Sequence, residues 1–184
     1  MRIHLKPAKS LRDWMKVYRL YREAFPSSER KPFSVILKMS RNKKTDVWCM
    51  MKGTSFKGFA TTINSREAVL LDYLAVEKSA RAQGVGRETL AVLMQEYSGR
   101  GMFVEIESAF EPGDDQALRR RRRQFYMSAG MEPFGVMANV FGVKMELLGK
   151  DCHFTFKEYQ QFYRTHYSAW AAEHLSEEVH PENP

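Results

Sequence analysis

Cysteine is nearly absent: Cys49 and Cys152 are the only two in 184 residues. That is too few for a disulfide framework or a thiolate metal site, and a reducing cytoplasm is the expected setting. The five histidines are scattered and no His-Glu-x-x-His occurs, so no metal is expected. No apolar run approaches the roughly 18 residues of a membrane span. The start, Met1-Arg2-Ile3-His4-Leu5-Lys6-Pro7, has no apolar stretch of the kind found in a signal peptide. No membrane partner is therefore expected. Internal repeats are missing, as are the G-x-G-x-x-G of a dinucleotide site and the G-x-x-x-x-G-K-[ST] of a P-loop.

What the chain does have is core-forming material, 43% hydrophobic and 12% aromatic residues, which fits one globular domain. The net charge of +7 points to an anionic ligand or partner without saying which.

In order, residues 2–5 read as a first strand. Ser10 and Asp13 have capping-box spacing ahead of the helical stripe Leu11, Trp14, Val17, Tyr18 and Tyr21, which ends near Phe25-Pro26. A polar loop between prolines, residues 26–32, leads to a second helix from Phe33 to about Arg41. Residues 46–52 and 56–63 read as strands joined at Gly53-Thr54-Ser55.

The apolar run from Val69 to Val76 reads as a buried central strand, followed by a polar turn and then Arg81-Ala82-Gln83-Gly84-Val85-Gly86-Arg87. Helical spacing resumes with Val85, Leu90, Leu93, Met94 and Tyr97. The first amides of a helix lack internal partners and sit at its positive end. Two glycines there allow a diphosphate to approach them closely.

Beyond this lie a strand over 102–108, an acidic loop over 111–115 and a helix holding Arg119 to Arg123, Phe125 and Tyr126 up to Gly130. Two strands over 131–136 and 140–148 follow. Thr155 and Glu158 form a capping box, with Phe154 and Tyr159 as a staple. They start a last helix whose stripe, Phe156, Tyr159, Tyr163 and Trp170, is expected to pack in the core. The tail 177–184 is expected to be loose.

Arg-x-x-Gly-x-Gly after Leu-Ala-Val, with Phe125-Tyr126-x-x-x-Gly130 downstream, resembles the acetyl-CoA signature of the GNAT acyltransferase superfamily. The layout resembles it over residues 1–149, and the motifs over about 69–135. The resemblance implies a mixed α/β sheet of about seven strands, mostly antiparallel with a splayed parallel central pair, plus an extra C-terminal helix. A single domain would span 1–176, its helical addition 150–176. The implied function is N-acetyl transfer from acetyl-CoA to a primary amine of a small molecule or protein, directly and through a tetrahedral intermediate. Relatives commonly dimerise through sheet edges, so a homodimer is a further expectation.

By the same resemblance, amides of Gln83, Gly84, Val85, Gly86 and Arg87, with Ala82, grip the pyrophosphate, and Arg81 adds charge. The pantetheine arm pairs alongside Leu74, Ala75 and Val76, and the Leu74 amide polarises the thioester carbonyl. Tyr126 occupies the position of the acid that protonates the leaving sulfur. A base must deprotonate the acceptor amine; Glu107 is the first candidate, with Glu105 and Asp72 as others, since acids on central strands need a reason. Asp72 has a structural alternative, facing a basic side chain. Phe25, Glu29, Arg30 and Phe33 are placed near the acceptor, with core packing or a plain surface loop as the alternative for each.

One departure stands out: many members carry Asn about seven residues before the tyrosine, where this chain has Arg119. Arg122, four before Tyr126, shares its face and could reach a CoA phosphate or a carboxylate. The rival reading is a non-catalytic CoA-binding or nucleic-acid-binding regulatory domain using Arg119 to Arg123. Five consecutive residues circle a helix, and the aromatic interleaving of single-strand binders is missing, which argues against nucleic acid.

Overall fold

The computed structural model describes residues 2–27 and 29–181. They fall into two compact units, Met1–Ser98 and Gly99–Pro184.

The first unit is a four-stranded antiparallel meander in the order β1 (Ile3–Pro7), β2 (Thr45–Lys52), β3 (Ser55–Asn64), β4 (Ala68–Val76). Alternate residues of a strand point to opposite faces. Val47, Cys49, Tyr73 and Ala75 accordingly pack with Val17, Leu20 and Tyr21 of α1 (Leu11–Ala24) and Ile36 of α2 (Phe33–Arg41). Met50, Leu74 and Val76 pack with Ile3, Ala80 and Val85, the last of these opening α3 (Val85–Glu96). The far end of α3 is clipped down by its buried C-cap, Tyr97. Its hydroxyl donates to the Asp46 carboxylate (2.8 Å) and accepts from the Trp48 indole (2.9 Å). On β3, a Cβ on Gly58 would lie 2.2 Å from the Ala75 carbonyl oxygen of β4, so this position admits no side chain.

The second unit orders its strands β5 (Gly101–Glu107), β7 (Val143–Lys150), β6 (Glu132–Val140), β8 (Leu175–Glu178), again antiparallel throughout. Helix α4 (Gln116–Ser128) follows β5, and α5 (Phe156–His166) and α6 (Ala169–Glu173) follow β7. Phe103 of β5 meets Phe154 and Phe162 with ring centroids 4.9 and 5.1 Å apart.

Three differences from the sequence reading are local. The β6–β7 turn is at Phe141-Gly142, both at positive φ, rather than over residues 137–139. The last helix breaks after His166, and Trp170 is 60% exposed in α6 instead of joining the buried stripe. Glu177 and Glu178, expected in a loose tail, pair with β6 through β8, which makes eight strands among the described residues. Residues 182–184 of that tail lie outside the described residues.

The capping box of α1 is formed as expected, and it contains a buried acid. Asp13 accepts from the Lys6 ammonium (2.8 and 3.0 Å) and from the Ser10 amide (3.1 Å). The Lys6 bond, assisted by Ser10 and Lys9, outweighs burial and holds this carboxyl well below the ordinary carboxylate range. A folded-state pKa below the unfolded value of about 3.9 stabilises the fold above about pH 5, and that contribution is lost as pH falls further. Asp13→Asn should therefore melt below wild type at neutral pH, with the gap closing as the pH approaches about 2. Melting curves across that range check it, and a gap independent of pH would refute the assignment.

Candidate functional site

The site is built around the exit from β4. The pairing of β3 with β4 slips between Thr61, opposite Tyr73, and Thr62, opposite Leu71, which leaves Asp72 as the extra residue of a bulge. The bulge lies two residues before Leu74 and could not be read from sequence. Past it, Leu74 and Val76 face the side that holds Val85, while Ala75 faces α1 and α2.

The chain then makes a one-turn helix over Lys78–Ala80 and enters an exposed loop. Two side chains brace that loop from within: Arg81 Nε donates to the Val76 carbonyl (3.1 Å) and Gln83 Nε2 to the Ser79 carbonyl (2.8 Å). Ala82 and Gly84 adopt φ of 58° and 76°. For a residue with a Cβ this left-handed conformation costs about 1–2 kcal/mol. It is held here by the buried anchors Ala80 and Val85 on either side.

Gly84 is the N-cap of α3, and the first bond of the helix runs from the Glu88 amide to the Gly84 carbonyl (2.9 Å). The amides of Val85 and Gly86 come before it and have no carbonyl one turn back to bond. A Cβ placed on Gly84 would meet nothing within 4 Å, so the space above the turn is open. The result is a helix N-terminus, at the positive end of a 12-residue helix, that opens onto an exposed loop over residues 81–84 with Arg81 and Arg87 nearby. This donor set fits a diphosphate.

Phe25, Glu29, Arg30 and Phe33, expected near an acceptor, are drawn into the first unit's structure. Phe25 packs edge-on against Tyr73 (4.9 Å), and Phe33 packs against Trp14, Tyr18 and Tyr21. The Tyr73 hydroxyl donates to the Glu29 carbonyl (3.0 Å) and accepts from the Lys31 amide (3.2 Å). Lys31 Nζ reaches Asp72 at 2.5 Å. Asp72 thus faces a basic side chain, the structural alternative. Glu29 and Arg30 keep partly exposed side chains.

In the second unit, Tyr126 is half-buried on α4 with its ring against Phe125 (5.1 Å). Among the described residues its hydroxyl has no hydrogen-bond partner. Burial pushes the phenol up to about 12 against the opposing charge of Arg122, so it stays protonated at neutral pH. Arg122 Nη1 lies 3.9 Å from Glu107 Oε2, and the Glu107 side chain is largely buried. Glu105 accepts from the Tyr163 hydroxyl of α5 (3.0 Å), which ties the C-terminal addition to β5.

The arginine run divides its work. Arg119 pairs with Asp115 (2.9 Å) and donates to the Glu111 carbonyl (2.7 Å). Arg123 donates to both oxygens of Glu146 (3.1 and 2.9 Å) and lies over the Phe110 ring. Arg120 and Arg121 are exposed. Glu146, a fully buried acid on β7, was missed by sequence reasoning, and its place between Met145 and Leu147 in an apolar strand was the available signal. A cavity of about 290 Å³ is lined by Ala109, Phe110, Arg120, Arg123 and Gln124.

The chain shares its architecture with the GNAT acetyltransferases. A protein of Bacteroides thetaiotaomicron described as a GNAT-family acetyltransferase superposes with a TM-score of 0.74 at 17% identity, covering 94% of this chain and 99% of that one. An aminoglycoside 6′-N-acetyltransferase complexed with coenzyme A gives 0.67 at 17% identity over 82% and 96%. The Escherichia coli N-acetyltransferase for a ribosomal-protein alanine gives 0.61 at 15% over 83% and 96%. No protein-family model matches the sequence, and no curated protein does. At these identities it is the fold that is shared.

Because Gly84 is constrained by φ and not by space, Gly84→Ala should fold and lose about 1–2 kcal/mol in urea titration. A stability equal to wild type would mean that the turn does not hold the left-handed conformation.

Proposed function

We propose that the chain is an N-acetyltransferase that moves an acetyl group from acetyl-CoA to a primary amine of a small molecule or a protein. The observation that carries this reading is the open amide turn at the start of α3, within a fold whose solved examples include one complexed with coenzyme A. Amine acceptors are supported by the neighbours named for aminoglycoside and protein-alanine acetylation.

In this reading the amides of residues 83–87 bind the diphosphate and Arg81 and Arg87 add charge, while Leu74, Ala75 and Val76 align the pantetheine arm. Acetyl-CoA would supply the activated acyl group. The Leu74 amide donates to the carbonyl oxygen as negative charge grows there. Tyr126 holds a proton that it gives to the departing sulfur; a neutral phenol without another partner is suited to that transfer. Glu107 accepts the proton of the amine, directly or through water, with Arg122 3.9 Å from its carboxylate. An alkylammonium with pKa ~10.4 must lose that proton before it can attack. The reaction needs no metal.

The arginine run gives the nucleic-acid alternative little support, since Arg119 and Arg123 are committed to Asp115 and Glu146. Thermal shift separates the two. Acetyl-CoA at 100 times its dissociation constant should stabilise the fold by about 2.7 kcal/mol. A response to RNA with none to acetyl-CoA would reverse the reading.

Tyr126→Phe tests the acid. Turnover in a thiol-release assay with a panel of amines should fall roughly 10–10⁴-fold while acetyl-CoA affinity stays near wild type. Undiminished turnover in a folded variant would remove Tyr126 from the mechanism.

A further inference from the structure

The positive charge of this protein is not where its arginine run draws the eye. The first 44 residues hold 13 of the 29 basic and 3 of the 22 acidic side chains, a net +10, so the remaining 140 carry −3. Of the three acids, Asp13 is neutralised by Lys6 and Glu23 lies 3.4 Å from Lys78.

Helix α1 turns its buried face, Asp13, Val17, Leu20 and Tyr21, toward the sheet. Its opposite face carries Leu11, Met15 and Tyr18 at i, i+4 and i+7, exposed by 76%, 54% and 42%. Arg12, Lys16 and Arg19 form a second row about 100° further around the helix, with Arg19 3.9 Å from Glu77. Among the described residues no carboxylate comes within ion-pair reach of Arg12, Lys16 or Arg22. Val35, 38% exposed, adds an apolar side chain on α2, and Lys38 and Arg41 end that helix.

We propose that this outer face of α1 and α2 docks on an anionic lipid surface, with Leu11 and Met15 entering the headgroup boundary and the basic row lying against the phosphates. An apolar row beside a basic row is what a bilayer interface rewards. Nucleic acid would use the charge and gain nothing from Leu11 or Met15. The ring it would most readily stack on, Tyr18, is already engaged with Phe33 (4.9 Å) and Arg22 (5.7 Å). No described helix is long and apolar enough to cross a membrane. The sequence features that argue against a membrane partner concern spanning and signal segments, not contact at the surface.

The inference is independent of acetyl transfer and is tested by sedimentation with vesicles, using the full chain. Vesicles of phosphatidylglycerol and phosphatidylcholine in equal parts should bind it, and phosphatidylcholine alone should not. Binding should weaken with salt. Since each basic side chain near an anionic bilayer is worth roughly fivefold in affinity, Arg12→Glu with Arg19→Glu should lose at least about 25-fold. Leu11→Ser with Met15→Ser, which leaves the charge unchanged, should lose roughly tenfold. Melting temperatures near wild type show that both variants fold, as expected for exposed sites. Failure to bind the anionic vesicles, tighter binding to duplex RNA or to polyglutamate, or wild-type binding by the Leu11/Met15 variant would each overturn the proposal.

Discussion

A carboxylate in the interior of a sheet must be matched by a cation or it destabilises the fold by several kcal/mol. Asp72 meets that condition through Lys31, and much of the first unit's geometry follows from the pairing. Lys31 sits in the loop between α1 and α2, 41 residues from Asp72 in sequence, so satisfying the acid brings that loop onto β4. Tyr73, next to Asp72, completes the attachment by binding the backbone at Glu29 and Lys31, and the Tyr21 hydroxyl donates to the Lys31 carbonyl. Burial, together with the charge of Asp72, pushes the Tyr73 phenol far above its ordinary value. It therefore remains a neutral donor at any physiological pH. The backbone at Glu29 and Lys31 is consequently held against β4. Whatever Glu29 and Arg30 contribute, they contribute from a stapled backbone, and Asp72 is occupied with charge balance.

The same strand passes that order on to the turn beyond it. A bulge at Asp72 re-aims the chain two residues before Leu74, and the apolar group around Met50, Ala80 and Val85 holds both ends of the loop that follows. Only with both ends fixed can Ala82 remain at φ 58°, a conformation a free loop would relax. An observed outlier at an exposed, donor-rich turn is a reason to look for function there.

Local signals were legible and distant ones were not. Both capping boxes, at Ser10 and Thr155, formed as their spacing indicated, because a cap involves only a handful of neighbouring residues. The bounds of α2 and the strand before the glycine turn were equally readable. The β6–β7 turn was misplaced because Phe141, a bulky residue, occupies a position that favours Asn or Gly. Strand β8 carries Leu-Ser-Glu-Glu, which has no apolar alternation, and only its register with β6 defines it. The break after His166 did have a signal: Ser168 caps α6 by accepting from the Ala171 amide. Of the candidate residues, the glycine turn and the tyrosine motif were visible in sequence, while the Asp72 bulge of the first unit and the Glu146–Arg123 pair of the second depend on residues brought together only by folding.

The Arg119 to Arg123 run shows how composition can mislead about electrostatics. A run of one charge invites a search for an external polyanion, yet two of these five side chains are needed inside. Glu146 is fully buried and accepts from Arg123 Nε at both carboxylate oxygens, and Arg119 closes the loop that begins α4. An arginine committed in this way contributes little field beyond its partner. The basic residues of α1 are interrupted by apolar ones and form no run, but they are exposed and outnumber the acids near them. The external field of this protein is therefore set by side chains that look unremarkable in sequence.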